Sequence, residues 1–211
     1  VTYADVLNRL GDCSFNSRHF EDAIKLYEQV VSHKGAGADY ALFQRGYALG
    51  LLHRYDEKIQ AMQQINNLYP RSDYADDALY ETARAQLQLE KSDAAILTYT
   101  KLLKQYPNSN KAAKSALELG MAYRTLKQYD NATQAFKQTI ERYAGSEEAY
   151  AALEGLEQVY VENNQIGDYL AYTKTLNKMN MQAATSEDSL VYVTAELQYM
   201  MGNYEQAAAG L

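Results

Sequence analysis

A 37-residue step recurs in this chain, and it limits the fold more than any other feature. The stretches LYPRSDYADDALYETA, residues 68–83, and QYPNSNKAAKSALELG, residues 105–120, align at that step. Tyr106 falls on Tyr69, Pro107 on Pro70, Ser109 on Ser72 and Ala112 on Ala75. A third copy follows with Tyr143, Ser146 and Ala149, and Ala144 takes the proline place. Self-similarity at a period of this size marks stacked supersecondary units, none of which can bury its apolar face alone.

Helical periodicity runs from end to end, and the elements pair into hairpins. First helices are expected near 3–16, 39–52, 73–89, 110–126, 147–162 and 187–201, and second helices near 20–32, 55–68, 92–105, 129–143, 166–178 and 204–211. Twelve residues separate a small residue on the first helix from one on the second: Gly11 and Ala23, Ala83 and Ala95, Gly120 and Ala132, Ala195 and Ala207. Four residues later, on the same face, stands a large one, Tyr27, Tyr99, Phe136 or Leu211, to fill the gap between hairpins. The second hairpin keeps Gly46 and Met62 but has Lys58 at the small site, where the stem is expected to pack and the ammonium to snorkel. The fifth departs furthest, with Glu157, Tyr169 and Thr173. Pro70 and Pro107 end second helices, and Ser72 and Ser109 are expected as N-caps of the helices that follow.

Composition agrees with an all-α class. The 211 residues are 47% hydrophobic, ample for a core, while 11 Gly and 2 Pro leave few breaks in long helices. A net charge of −7 opposes approach to phosphate backbones, which argues against nucleic acid as a partner. Residues 101–142 nevertheless hold eight Lys or Arg against three acids, a local basic belt. The single cysteine, Cys13, excludes an internal disulfide and is expected to be a buried small hydrophobe. No apolar run approaches the length of a membrane span.

No catalytic constellation of nucleophile, base and orienting group can be assembled, so the chain is not expected to be an enzyme. His19, His33 and His53 lack ligand-spaced partners, and neither a metal nor a cofactor is expected. Gly35-Ala36-Gly37 follows a helix rather than a strand and reads as a flexible connection, not a phosphate loop. Tyr40, Phe43 and Tyr47, at i, i+3 and i+7, form one aromatic stripe of a helix, open to a ligand or packed on the next hairpin.

The order of small residue, aromatic, alanine, aromatic and terminal proline resembles the tetratricopeptide repeat, most fully at residues 113–145. The resemblance covers essentially the whole chain. It implies a single domain, 1–211, wound as a right-handed α-solenoid of about six repeats, roughly 3–36, 38–71, 72–108, 109–145, 146–182 and 186–211. The steps of 35 to 38 residues exceed the family's usual 34. The last repeat is short and lacks a polar cap, so the chain is expected to be a fragment of a longer array or to self-associate through uncovered ends. The Tyr-Pro-x-Ser-x-x-Ala linker is similar to that of bacterial Tol-Pal-associated and outer-membrane assembly lipoproteins, which implies a periplasmic or outer-membrane setting over a cytoplasmic one.

In this family the first helices line a concave groove for a peptide or partner helix. The resemblance therefore implies a groove set of Asn8, Arg9, Tyr40, Phe43, Gln44, Tyr47, Tyr80, Arg84, Lys114, Leu117, Met121 and Arg124. Positions that form a carboxylate clamp in some relatives hold Asn8, Asp12, Gln44, Asp77 and Glu81 here, too acidic for that role. The expected function is a non-catalytic protein-binding scaffold. The alternatives are a spacer, or a support for a carbohydrate-binding or enzymatic region elsewhere.

Overall fold

Helices form where the periodicity predicts them. The computed structural model describes residues 2–33, 35–176, 192, 195–196, 199 and 202–209. They comprise α1 Tyr3–Asn16, α2 Phe20–Ser32, α3 Ala38–Leu51, α4 Tyr55–Leu68, α5 Ala75–Gln88, α6 Ser92–Gln105, α7 Ala112–Thr125, α8 Tyr129–Arg142, α9 Glu147–Glu162, α10 Ile166–Leu176 and α11 Tyr204–Ala209. Among the described residues there is no strand, and every boundary from α1 to α10 lies within two residues of its expected place. The expected helix at 187–201 and the uncapped chain end lie largely outside the described residues. The chain is all-α, in two compact units, Val1–Ser115 and Ala116–Leu211.

In the first unit the core is a series of clusters, each shared by successive helices. Leu7, Ala23, Tyr27, Val30 and Ala41 join α1, α2 and α3. Leu42, Met62, Ile65 and Ala78 join α3, α4 and α5. In the second unit one cluster runs from Ala132 and Phe136 through Leu153, Leu156 and Tyr160 to Tyr169 and Leu176.

The glycines of the first helices explain the size pattern. A Cβ on Gly11 would lie 2.5 Å from the Tyr27 ring, on Gly46 2.6 Å from Met62 Cε, and on Gly120 2.6 Å from the Phe136 ring. Each glycine thus makes room for the large side chain sixteen residues on, within its own hairpin. Phe136 also meets the next hairpin, since a Cβ on Gly155 would come within 2.7 Å of its ring. In the fifth hairpin, Tyr169 is fully buried and its hydroxyl donates to Glu157 Oε2 at 3.1 Å. A hydrogen bond there replaces the pair of small residues.

The turn inside each hairpin repeats as backbone geometry. Arg18, His53, Glu90, Lys127 and Asn164 all have positive φ, between 55° and 60°. The amide after each donates five residues back: His19 to Ser14 O, Arg54 to Leu49 O, Lys91 to Gln86 O, Gln128 to Tyr123 O and Gln165 to Tyr160 O. These are Schellman C-caps, with a non-glycine residue at the left-handed position usually held by glycine.

The linkers between hairpins correct one expectation. Ser72 and Ser109 do not cap the following helices. Ser72 Oγ donates to Asp39 Oδ2 at 2.6 Å and accepts from the Tyr74 amide at 3.2 Å. Ser109 Oγ likewise donates to Asp76 Oδ2 at 2.5 Å and accepts from the Lys111 amide at 2.9 Å. The carboxylate at the start of one first helix fixes the linker to the next, and α5 and α7 begin three residues beyond their serines. Ser146 is a true N-cap of α9, accepting from the Ala149 amide at 3.1 Å.

Candidate functional site

Two faces of the first unit converge beside Tyr47. The first is the aromatic stripe of α3. Phe43 lies 5.4 Å from Tyr47 and stacks on Tyr74 at 5.0 Å with an interplanar angle of 24°, while Tyr40 approaches Tyr74 at 5.9 Å. Tyr74, at the N-cap position of α5, anchors the stripe to the next hairpin. Sequence reasoning missed it, because its signal is only its place just before a first helix. Tyr40 and Phe43 are half-buried, and Tyr47 is 39% exposed.

Asp12 holds the base of the stripe. Its Oδ1 accepts from the Tyr40 hydroxyl at 2.7 Å and from the Tyr27 hydroxyl at 2.8 Å, tying α1, α2 and α3 together. Burial and the hydrogen bond to this carboxylate push the Tyr40 pKa up to about 12 and that of Tyr27 higher still.

The second face is a polar cleft of about 310 Å³ lined by Tyr47, Gly50, Leu51, Tyr55, Lys58, Glu81, Arg84, Ala85 and Gln88. Lys58 does not snorkel. It is 8% exposed, its ammonium pairs with Glu81 Oε2 and it lies 5.5 Å from the Tyr47 ring centre. Glu81, 4% exposed, also approaches Arg84 at 3.6 Å. Two cations thus share one buried carboxylate at the cleft floor. Burial, with the Glu81 charge as a smaller cause, raises the pKa of Tyr47.

The positions corresponding to a carboxylate clamp carry internal ties. Asp12 holds two tyrosines, Asp77 pairs with Lys111 at 3.1 Å, and Glu81 serves Lys58 and Arg84. Asn8 is buried and donates through Nδ2 to the Gly37 carbonyl at 3.3 Å. Gly37, at φ 79°, requires the left-handed conformation that starts α3.

The remaining groove residues divide. Arg9 is exposed on α1, and Gln44 lies half-buried against the Tyr40 hydroxyl. Tyr80 is 3% exposed, 6.2 Å from Tyr99 and beneath the Arg84 guanidinium, so it supports the face rather than lining it. Lys114 is exposed in the first unit. Leu117, Met121 and Arg124 belong to the second unit, where Arg124 Nε donates to Glu162 at 3.1 Å and its Nη1 to Gln158. The structure therefore brings Tyr40, Phe43, Tyr47 and Arg84 together and adds Lys58, Gly50, Tyr74 and Gln88. Cys13 is exposed, not buried as expected. Among the described residues no three His, Cys, Asp or Glu gather as a metal site, and no helix is long and apolar enough to cross a membrane.

The repeats match a known family. The tetratricopeptide repeat model fits residues 40–72, 77–109 and 114–146. The chain is a tetratricopeptide repeat protein. Such proteins are typically scaffolds that bind protein partners, and the fold class is an all-α solenoid. The crystal structure of MamA protein is similar over 96% of this chain and 95% of its own, with 17% identity and a TM-score of 0.67. A tetratricopeptide repeat protein from Parabacteroides merdae aligns over 98% of this chain and 75% of its own, with 16% identity and a TM-score of 0.57. PilW, described as a widely conserved type IV pilus biogenesis factor, aligns over 100% and 91%, with 14% identity and a TM-score of 0.59. At these identities the likeness establishes the fold. Among proteins of curated function none matches this sequence. In this tetratricopeptide array the matched residues include both faces of the cleft.

Proposed function

We propose that the chain is a non-catalytic scaffold that binds a peptide or partner helix along the α3 and α5 face, in the assembly of a bacterial cell-envelope complex. The observation that carries the reading is the aromatic stripe. Tyr40, Phe43 and Tyr47 are held in place by Tyr74 and Asp12, so their ordering cost is met before a ligand arrives. Tyr47 and Arg84 keep exposed surface at the end of that stripe, and Tyr and Arg are the side chains that most often anchor interfaces. The linker pattern and the likeness to a pilus biogenesis factor support the envelope setting. Capture of partners from the native compartment by wild type against Tyr47→Ala/Arg84→Ala tests the binding face. The double variant is expected to lose its partners while melting like wild type, and equal recovery would overturn the assignment. The burial of Tyr80 favours the spacer as the second reading, and that reading predicts equal recovery.

A further inference from the structure

We propose that the cleft beside Tyr47 receives the side-chain carboxylate of an Asp or Glu in the bound peptide. This rests on the reading above and specifies one pocket within it.

The cleft exists because one hairpin departs twice from its siblings. At the 37-residue step, Gly50 corresponds to Leu87, Arg124 and Val161, so only here does a first helix leave that place without a side chain. Lys58 corresponds to Ala95, Ala132 and Tyr169 at the same step, none of them charged. The two departures fit each other. A Cβ on Gly50 would lie 3.0 Å from Lys58 Cδ and 3.2 Å from Nζ, so the glycine admits the lysine stem. An ordinary apolar contact has become a recess with an ammonium and a carboxylate at its base. Burying such a pair contributes little to stability compared with the alanine packing of the sibling hairpins, so the arrangement calls for a use beyond folding.

The lining selects the ligand. The charged groups of the lining are two cations, Lys58 and Arg84, and one carboxylate, Glu81. An incoming Lys or Arg would meet two cations at close range. An apolar side chain would seal charged groups from water without replacing their hydrogen bonds. A carboxylate is met by the planar guanidinium of Arg84, half of whose side-chain surface remains exposed, and by the donors of Tyr47 and Gln88. The Tyr47 hydroxyl is protonated throughout the neutral range, as any tyrosine is, and can donate there.

A chain terminus offers the same group, so the test includes both sources. Isotope-labelled protein is titrated with N-acetyl-glutamate α-amide, N-acetyl-glutamine amide and N-acetylglycine, and the Arg84 Nε–H and Tyr47 ring resonances are followed. The expected result is a saturable shift with the glutamate compound that weakens with added salt, is absent with the glutamine compound, and loses about tenfold in affinity in Arg84→Gln. Gly50→Leu/Lys58→Ala/Glu81→Gln restores sibling-like packing, so it should unfold cooperatively and bind none of the three. Equal response to the glutamine compound, or a response unchanged by Arg84→Gln, overturns the proposal. A response to N-acetylglycine alone overturns the side-chain assignment. If the glutamate and glutamine compounds behave alike while partner capture still depends on Tyr47, the cleft is misassigned and the binding face stands. If capture ignores Tyr47, the binding face itself fails.

Discussion

The α3–α4 hairpin and the α7–α8 hairpin solve the same packing problem in opposite ways. In α7–α8 the small site is Ala132, and Phe136 lies fully buried between Gly120 and Gly155. In α3–α4 the corresponding side chain is the more pliable Met62, and the small site carries Lys58 paired with Glu81 of the next helix. The difference shows that the repeat fixes where backbones cross but not what fills the crossing. A position that is dry core in one hairpin is a polar recess in another, and only the second can serve recognition.

The comparison can be broken at its driest point. Phe136→Ala leaves two glycines facing an empty space, and a loss of about 3–5 kcal/mol is expected in chemical denaturation. Lys58→Met tests the other side. It strands a buried carboxylate, and a loss of about 3 kcal/mol is expected, with Arg84 close enough to keep it from being larger. Lys58→Met/Glu81→Leu should return stability to within about 1 kcal/mol of wild type, which would show that the ion pair is not needed for folding. A double variant as unstable as the single one would make the pair structural and remove the contrast. The smallest effect is expected where α3 begins. Asp39→Ala deletes the acceptor for Ser72 and should cost about 1 kcal/mol, read as a lower melting temperature with unchanged helical content.

The helices, their pairing and the glycine sites were legible from the 37-residue step because backbone crossings demand small residues at fixed intervals. The linker caps were not. Ser72, Ser109 and Ser146 look alike, but the first two answer to Asp39 and Asp76, whereas the residue one step on from Asp76 is Ala113. The missing carboxylate was visible in the repeat, and it separates a tied linker from a simple N-cap. The stripe of Tyr40, Phe43 and Tyr47 was legible from helical spacing, and its anchoring by Tyr74 was not, since that contact joins separate hairpins. Tyr80 entered the groove set through the family resemblance, at the place Phe43 holds one step earlier, yet it is buried beneath the Arg84 guanidinium. The fate of Lys58 depended on Glu81, 23 residues away, at a distance no periodic rule connects.

The five left-handed turns carry a practical consequence. Their closure uses only main-chain groups, and Arg, His, Glu, Lys and Asn all occupy the apex without altering it. Four of these apices are therefore natural attachment points: a dye, spin label or tether could be installed at Arg18, Glu90, Lys127 or Asn164, whereas His53 is hydrogen-bonded to Tyr55 of the recess lining and is left in place.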